Sequence, residues 1–346
     1  MSQPHGDPAL PEVAFPPGTP LARPSPLARF MHANEASVTL ATIGLVLFIG
    51  VLHPSFLQAG QLINIVQQAV FVAILATGLA FLMSMREIDL SVESTFALTL
   101  VSAALLMKAG LNPWLAAIAA LLLGMLLGWL NAVVVQYFKI PSLIATLATL
   151  SMYRGLVFAL SGGQQVTGLP LDHPFFSVLS GNFLGLPLPI WLLAALIAVL
   201  SVIMGKTPYG YRVRQIGSNP AAAAFSGIPV ARVRIQSFML AGLLAAVAGL
   251  LGLSYFTSAD PNIGSGFSLS AVAAVVIGGT PLRGGVATIP GAVLGAILLT
   301  IVTSGLVYFN VPANWSQFAT GLVILVAVSL DSIVRNRRRG NDASES

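Results

Sequence analysis

The chain has 346 residues, of which 56% are hydrophobic and only 8% charged, with a formal net charge of +5 and no cysteine. A soluble domain carries about 25% charged residues, so this composition excludes that class. Repeated apolar runs of the ~20 residues needed to cross a bilayer predict an all-α integral membrane protein. The lack of cysteine excludes disulfides and thiolate metal sites, and the four scattered histidines predict no metal site.

The two ends of the chain differ from its apolar centre. Residues 1–35 contain eight prolines before position 30 and no apolar signal-peptide core, which predicts a disordered cytoplasmic tail. Residues 335–339 contain four arginines, and residues 340–346 are small and polar. This predicts a basic flank followed by a second disordered cytoplasmic tail over 335–346. The transmembrane domain is therefore expected over residues 36–334.

Ten apolar segments are expected to cross the membrane. The eighth is short and rich in glycine at its end, which predicts a tilted or re-entrant element. The segments are 36–53, 63–85, 92–107, 113–136, 141–160, 188–205, 235–257, 267–280, 286–309 and 316–334.

The positive charges orient these spans. With the N-terminus in the cytoplasm, 14 of the 16 lysines and arginines fall in inside segments, whereas Lys108 lies outside and Arg154 lies within the fifth span. Both termini are therefore predicted to be cytoplasmic. The longest inside loop is then 206–234 and the longest outside loop is 161–187. Because the basic residues are explained by topology, the sequence predicts no nucleic-acid partner.

A short sequence occurs twice, as YFKIP at 137–141 and YFNVP at 308–312, and the same offset of 171 positions (137 to 308) relates Gly124 to Gly295. Each copy joins two predicted spans, the fourth to the fifth and the ninth to the tenth. An offset of five spans places the copies on opposite faces of the membrane. This predicts an inverted internal repeat, as in many transporters, and the alternative is a chance similarity between two aromatic–proline junctions.

The chain shows no energy source of its own. The acidic residues lie at or near span ends, Arg154 is the one ionisable residue clearly inside a span, and no nucleotide-binding or catalytic motif is present. The sequence therefore predicts a transport subunit rather than an enzyme, with no cofactor on this chain. Two other classes remain: an ion-coupled secondary transporter of small polar solutes and a membrane-embedded enzyme.

Polar residues in the second span are candidates for the transport pathway. Asn64 and Gln68 share one helix face, with Gln67 beside them. Their amides either line the pathway or bond neighbouring helices.

Asp89 and Ser91 stand where the second span ends and the third begins. Asp89 is either an N-cap of the third span or a cytoplasmic gate residue with Arg86 as its charge partner. In the outside loop, Gln164, Gln165 and Asp172, with His173, either contact a soluble binding protein or are ordinary solvated loop residues.

The inside loop contains the stretch GSNPAAAAFSGIP, residues 217–229. Ser218 and Asn219 are good N-caps, and Pro220 suits the first helical position. The alanines favour helix, and a left-handed residue at Gly227 would end it. A helix of about two turns is marginal alone, so it either packs against a cytoplasmic partner or lies on the membrane. Its alanines are Ala221, Ala222, Ala223 and Ala224.

This loop resembles the coupling loop of permease subunits of ATP-binding-cassette importers, in the branch for ribose, simple sugars and autoinducer-2. That branch reads G-x-N-x-x-A-A-x-x-S-G-I. The matching positions are Gly217, Asn219, Ala222, Ala223, Ser226, Gly227 and Ile228. Acidic residues often seen before the alanines are replaced here by Pro220 and Ala221.

Three further stretches resemble the same branch: IDLSV at 88–92, IPSLIATL at 140–147 followed by YRG, and AVVIGGT at 274–280. Glu93 stands where that branch usually has glycine. The resemblance implies a permease of the bacterial inner membrane that works with a cytoplasmic ATPase, an extracytoplasmic sugar-binding protein and a second permease, identical or related. It also implies that residues 217–227 couple this chain to the ATPase.

Overall fold

The computed structural model describes residues 34–312, 315, 317–322 and 325. This part of the chain is helical apart from one small hairpin of strands β1 (Asn182–Phe183) and β2 (Leu186–Pro187). Residues 1–33 of the predicted tail 1–35, the predicted tail 335–346 and most of the tenth predicted span lie outside the described residues, whereas residues 34 and 35 begin the first helix. The helices are α1 Asn34–Leu52, α2 Ala59–Ser84, α3 Val92–Lys108, α4 Pro113–Tyr137, α5 Ser142–Ser161, α6 Pro174–Leu179, α7 Leu188–Lys206, α8 Pro208–Ser218, α9 Pro220–Phe225, α10 Val230–Phe256, α11 Phe267–Ile277 and α12 Ile289–Tyr308.

Each of the first nine predicted spans coincides with one long or short apolar helix. Six helices among the described residues are long and apolar enough to cross a membrane: α2, α4, α5, α7, α10 and α12. The chain is therefore a multi-pass membrane protein. Helix α11 has only 11 residues, which is roughly 16 Å against a hydrocarbon thickness of about 30 Å. The short eighth element predicted from the sequence has this length.

Helices α2 and α10 form the centre of the molecule. Every residue from 69 to 84 of α2 is buried, and α10 packs against α2, α3 and α4. The small residues Gly124 and Gly128 of α4 allow the closest approach, because a side chain there would clash with the α10 carbonyls of Gly242 and Phe238. By contrast, α5 and α7 expose apolar side chains such as Leu147 and Val202, as lipid-facing helices do.

Two connections enter the helical core. The first connection (residues 85–91) follows α2, and the second connection (residues 257–266) follows α10. Each has, within its first two residues, a residue other than glycine in the left-handed region, Arg86 at φ 66° and Thr257 at φ 55°. The two YFxxP junctions share the same feature, at Lys139 (φ 54°) and Asn310 (φ 56°).

The inside loop is more ordered than the sequence predicted, because α8 precedes the expected short helix. Thr207 caps α8 by accepting a hydrogen bond from the Gly210 amide, 3.3 Å away, and Val213 and Ile216 bury its apolar face. Ser218 is therefore the last residue of α8 rather than a cap of α9, which corrects the prediction. Asn219 alone caps α9, since its Oδ1 accepts from the amides of Ala221 and Ala222 at 3.1 Å.

Candidate functional site

Helix α9 presents an apolar residue to the surroundings. Phe225 is 94% exposed, and Ala221, Ala222, Ala224 and Ser226 are exposed around it, whereas Ala223 is buried against α8. Gly227 follows at φ 79°, the left-handed closing conformation predicted from the sequence. The Phe225 side chain is therefore left almost uncovered by the described residues.

The opposite side of this segment is fixed to the end of α2. A side chain at Gly217 would overlap the Ser84 carbonyl oxygen, so only glycine permits this approach. Arg86 donates from Nε to the Gly217 carbonyl at 2.6 Å and from Nη2 to the Ser218 carbonyl at 2.7 Å. The Gly285 amide donates to Ser84 O at 2.8 Å. The ends of α2 and α8 and the loop before α12 thus form one junction.

The other end of the inside loop is fixed to the same region. Arg234, in the first turns of α10, forms a salt bridge with Glu87 of the first connection at 2.7 Å. It also donates to Gln136 Oε1 at the end of α4. The chain is therefore attached to the first connection both before α9 and after it.

Asp89 and Ser91 lie in a buried hydrogen-bond network. Asp89 is 1% exposed, and its Oδ1 accepts from the amide and hydroxyl of Ser91 at 2.9 and 2.7 Å. Asn131 Nδ2 donates to Ser91 Oγ at 2.7 Å and to Asp89 Oδ2 at 3.2 Å. Tyr153 Oη lies 3.1 Å from Asn131 Oδ1, so α3, α4 and α5 meet here.

The geometry contradicts two parts of the interpretation of Asp89, the N-cap role and the pairing with Arg86, whereas its role as a gate residue stays a prediction. The N-cap of α3 is Ser91, and Arg86 binds the backbone carbonyls of Gly217 and Ser218 rather than Asp89. Asp89 instead closes an Asx turn within the first connection. Burial raises the pKa of Asp89 and the hydrogen bonds from Ser91 and Asn131 lower it, with burial the larger effect.

A buried ion pair that the sequence did not predict lies one turn further along α3. Glu93 Oε1 is 3.5 Å from Arg154 Nη2, and Glu93 Oε2 accepts from the amides of Gly266 and Ser268 at 3.0 and 3.1 Å. Arg154 Nη1 donates to the carbonyl of Pro261 at 2.9 Å. The start of α11, whose N-cap Gly266 has no side chain, is thus capped by a residue of α3.

The three amides of α2 occupy different positions. Asn64 and Gln68 are exposed on one face, whereas Gln67 is half-buried. Gln68 lines a cavity of about 680 Å³ between α2, α10, α11, α12 and residues 317–321 of the tenth predicted span. Asn64 and Gln67 are not among the described residues that line this cavity. The sequence therefore located one wall residue of the cavity and missed those from α10–α12, which are distant in sequence.

The outside loop contacts the second connection. Gln165 donates to Ser258 Oγ at 2.6 Å, and Val166 and Ala259 form an antiparallel bridge. Gln164 and Asp172 are exposed. His173, which was expected in an open loop, caps α6 by accepting from the Phe175 amide at 3.2 Å.

Comparison with known proteins identifies the family. Residues 61–328 match the family model described as branched-chain amino acid transport system / permease component. The chain is 35% identical over 314 residues to the ribose import permease protein RbsC of Haemophilus influenzae, which covers 90% of this chain and 97% of that one. It is 37% identical to RbsC of Bacillus subtilis (83% and 89% covered).

A relative of a second kind is the autoinducer 2 import system permease protein LsrC of Yersinia enterocolitica, 37% identical over 309 residues, which cover 89% of this chain and 85% of that one. No solved structure matches this chain. The family match spans most of the sequence and the relatives are aligned over nearly their full length, so this chain belongs to the family of transport-system permease components.

Proposed function

We propose that this chain is the membrane-spanning subunit of an ATP-driven, binding-protein-dependent importer for a neutral, sugar-like solute in the bacterial inner membrane. The observation that carries the proposal is α9, a short helix whose outward face exposes Phe225 while its base is fixed to α2. The import permeases for ribose and autoinducer 2 among the relatives support the substrate class.

The proposed topology has ten spans with both termini in the cytoplasm. The distribution of lysine and arginine supports it, and it places α9 inside and the loop 161–187 outside. In this orientation α2 begins at the outer face and ends at the junction with Gly217 and Arg86.

An inverted repeat of the two halves is part of the proposal. A shift of 171 positions relates α2 to α10 and the first connection to the second, and it pairs Arg86 with Thr257 and Lys139 with Asn310. Left-handed residues other than glycine are uncommon, and five occur among the described residues. Two pairs at the same offset argue against a chance similarity of the YFxxP junctions.

A second correspondence supports the repeat. The same shift pairs Asp89 with Asp260, and each aspartate accepts the amide two residues later, from Ser91 at 2.9 Å and from Asn262 at 2.7 Å. The two connections therefore contain the same Asx turn on opposite sides of the proposed membrane.

The geometry suggests how an ATPase could act on the pathway. A partner that grips Phe225 moves α9 and α8, because α9 packs on α8. Gly217 and Arg86 pass that displacement to the end of α2, and α2 is a continuous helix of 26 residues that reaches the cavity at Gln68. In the same scheme, the exposed Gln164, Gln165 and Asp172 face the binding protein, and a second permease, identical or related, completes the pathway.

The buried carboxylates favour this mechanism over ion coupling. An ion-coupled transporter requires ionisable groups that bind and release a cation within the membrane. Asp89 and Glu93 are both occupied by internal hydrogen-bond donors, and Glu93 also pairs with Arg154.

The test replaces Gly227, whose left-handed conformation disfavours a β-branched side chain by roughly 1–2 kcal/mol. In proteoliposomes containing this chain, the ATPase and the binding protein encoded with it, Gly227→Val should leave ATP hydrolysis running while uptake of D-ribose or another transported sugar is lost. Gly227→Asn is the matched control, because asparagine tolerates this conformation. Normal uptake by Gly227→Val would refute the coupling role.

A further inference from the structure

The cavity between α2, α10, α11, α12 and residues 317–321 has a volume of about 680 Å³, within the ~300–1,000 Å³ usual for small-molecule sites. It lies at the meeting point of the two proposed repeats, since α2 and α10 are repeat partners. We call it the polar cavity and define it by Gln68, Phe71, Tyr255, Ser270, Thr300 and Thr303, which all line it.

One wall of the polar cavity is aromatic. The ring centroid of Phe71 lies 5.6 Å from that of Tyr255 and 5.8 Å from that of Phe256, and Phe267 contributes a further ring. Tyr255 and Phe256 are 37% and 36% exposed and both line the cavity. Such rings offer flat apolar surfaces, and the tyrosine also has a hydroxyl group.

Helix α12 supplies hydrogen-bond acceptors to the polar cavity. Thr300 and Thr303 of α12 donate their hydroxyl hydrogens to backbone carbonyls of their own helix, Ala296 at 2.9 Å and Thr300 at 3.0 Å. Their oxygens therefore keep lone pairs for a hydroxyl donor. Gln68 and Ser270 add groups that both donate and accept. This set suits a ligand with many hydroxyl groups.

The electrostatic character of the polar cavity narrows the ligand class. None of the described residues that line it is charged. A phosphorylated or zwitterionic ligand would lose its hydration there without a counter-charge, which is costly. A neutral polyhydroxylated ring loses less, because its hydroxyls bond the threonines and amides and its apolar face lies on the aromatic wall.

We infer that the polar cavity is a transient binding site for a neutral monosaccharide-sized solute on its way from the binding protein. This inference rests on the proposed function and adds to it the site and its selectivity. Gln68 and the exposed Asn64 share one face of α2, so they form a polar approach from the end of α2 that is outside in the proposed topology. Residues 73–84 of the same helix are buried, which closes the route inward.

The natural absence of cysteine allows a direct test. Single cysteines are placed at Gln68 in the polar cavity and at Leu122, which is 61% exposed on the apolar surface of α4. The complete importer in right-side-out vesicles is treated with the membrane-impermeant thiol reagent MTSES. We expect labelling of Gln68→Cys and none of Leu122→Cys, and we expect the attached sulfonate to block sugar uptake.

Protection from labelling identifies the ligand class. A mixture of D-ribose, D-xylose, D-glucose and D-galactose should slow the labelling of Gln68→Cys, whereas L-leucine and D-ribose 5-phosphate should not. Protection by leucine or the phosphate would overturn the assignment to neutral sugars. Failure of Gln68→Cys to label while the importer transports sugar would overturn the cavity site and leave the proposed function intact.

A failure of the proposed function has a different signature. In that case the cysteine-free importer transports no sugar, although Gln68→Cys still labels from outside and its protection pattern still reports what the cavity binds. The role of the hydroxyls is measured with Thr303→Val in the Gln68→Cys background, which should raise the half-protecting sugar concentration about 3- to 10-fold for one lost hydrogen bond. Thr42→Val is the control, since Thr42 makes the same type of bond to Val38 O but lies on α1, away from the cavity.

Discussion

The two connections that enter the helical core share a backbone and differ in their surroundings. Each has a left-handed residue within its first two positions and contains an aspartate that accepts the amide two positions later. In the first connection Asp89 is 1% exposed, and nearby Arg86 binds the carbonyls of Gly217 and Ser218. In the second, Asp260 is half-buried, Asn262 is exposed and the following residues reach the polar cavity.

The two connections have the same backbone turn, but they differ in how deeply that turn is buried. In both connections the Asx turn follows the left-handed residue by three positions and precedes a helix, α3 in the first and α11 in the second. Burial determines how much stability is lost when the turn is changed, because a buried polar group that loses its hydrogen-bond partner cannot bond to water instead. The turn in the first connection is therefore buried and held by side-chain contacts. The second connection is partly exposed, and we call it the open rim of the polar cavity.

The ion pair between Glu93 and Arg154 joins the two regions, so breaking it is expected to have the largest effect. Arg154→Met leaves Glu93 buried without its cation, which should lower the free energy of unfolding by ~3–5 kcal/mol. Equilibrium unfolding in mixed micelles measures this change. The double variant Glu93→Gln with Arg154→Met should recover most of the loss, and an Arg154→Met variant as stable as the parent would contradict the pairing.

A change at the contact between Gly217 and the end of α2 is expected to have the next largest effect on stability. In Gly217→Ala the new methyl group overlaps the Ser84 carbonyl, and overpacking of this kind costs ~1–3 kcal/mol. The thermal midpoint should fall and sugar uptake should decrease more than ATP hydrolysis. Gly205→Ala is the matched control, because a side chain there meets no atom within 4 Å. Equal behaviour of the two variants would show that the close approach is unimportant.

The last prediction compares the two aspartates, and its Asp260 variant has the smallest expected effect. Asp89→Ala removes the acceptor for the Ser91 amide in a buried site and should cost ~1–3 kcal/mol, whereas Asp260→Ala at the open rim should change stability by less than about 0.5 kcal/mol. Parallel denaturation of both variants measures the two changes in the free energy of unfolding. If Asp260→Ala were the more damaging, burial would not explain the difference between the connections.

Part of the fold was predictable because membrane helices are encoded locally. The apolar runs located α1–α5, α7 and α10–α12 to within a few residues, since the bilayer demands long apolar segments. The caps of α9 were equally local, with Asn219 at its start and Gly227 after its end. Helix α8 was missed although Thr207, Pro208 and the spacing of Val213 and Ile216 are the ordinary signals of a capped amphipathic helix.

The contacts that define the site were not predictable in this way. The sequence suggested that Arg86 pairs with nearby Asp89, but Arg86 binds carbonyl groups more than 130 positions away. Glu93 stood out as a departure from a glycine, and its partners at Arg154, Gly266 and Ser268 come from other helices. Side-chain partners depend on which helices are neighbours, and hydropathy does not contain that information.

A multi-pass helical permease, the positions of its long helices and the short capped helix in the loop 206–234 were all readable from the amino-acid sequence. These features follow from hydrophobic length, cap chemistry and recurring motifs, each of which acts over a few residues. The packing of distant segments anchors this helix to α2, buries Asp89, and forms an open cavity between α2, α10, α11, α12 and residues 317–321, in which no described lining residue is charged. Those features require segments far apart in the chain to pack together, and their energies depend on burial that exists only after packing.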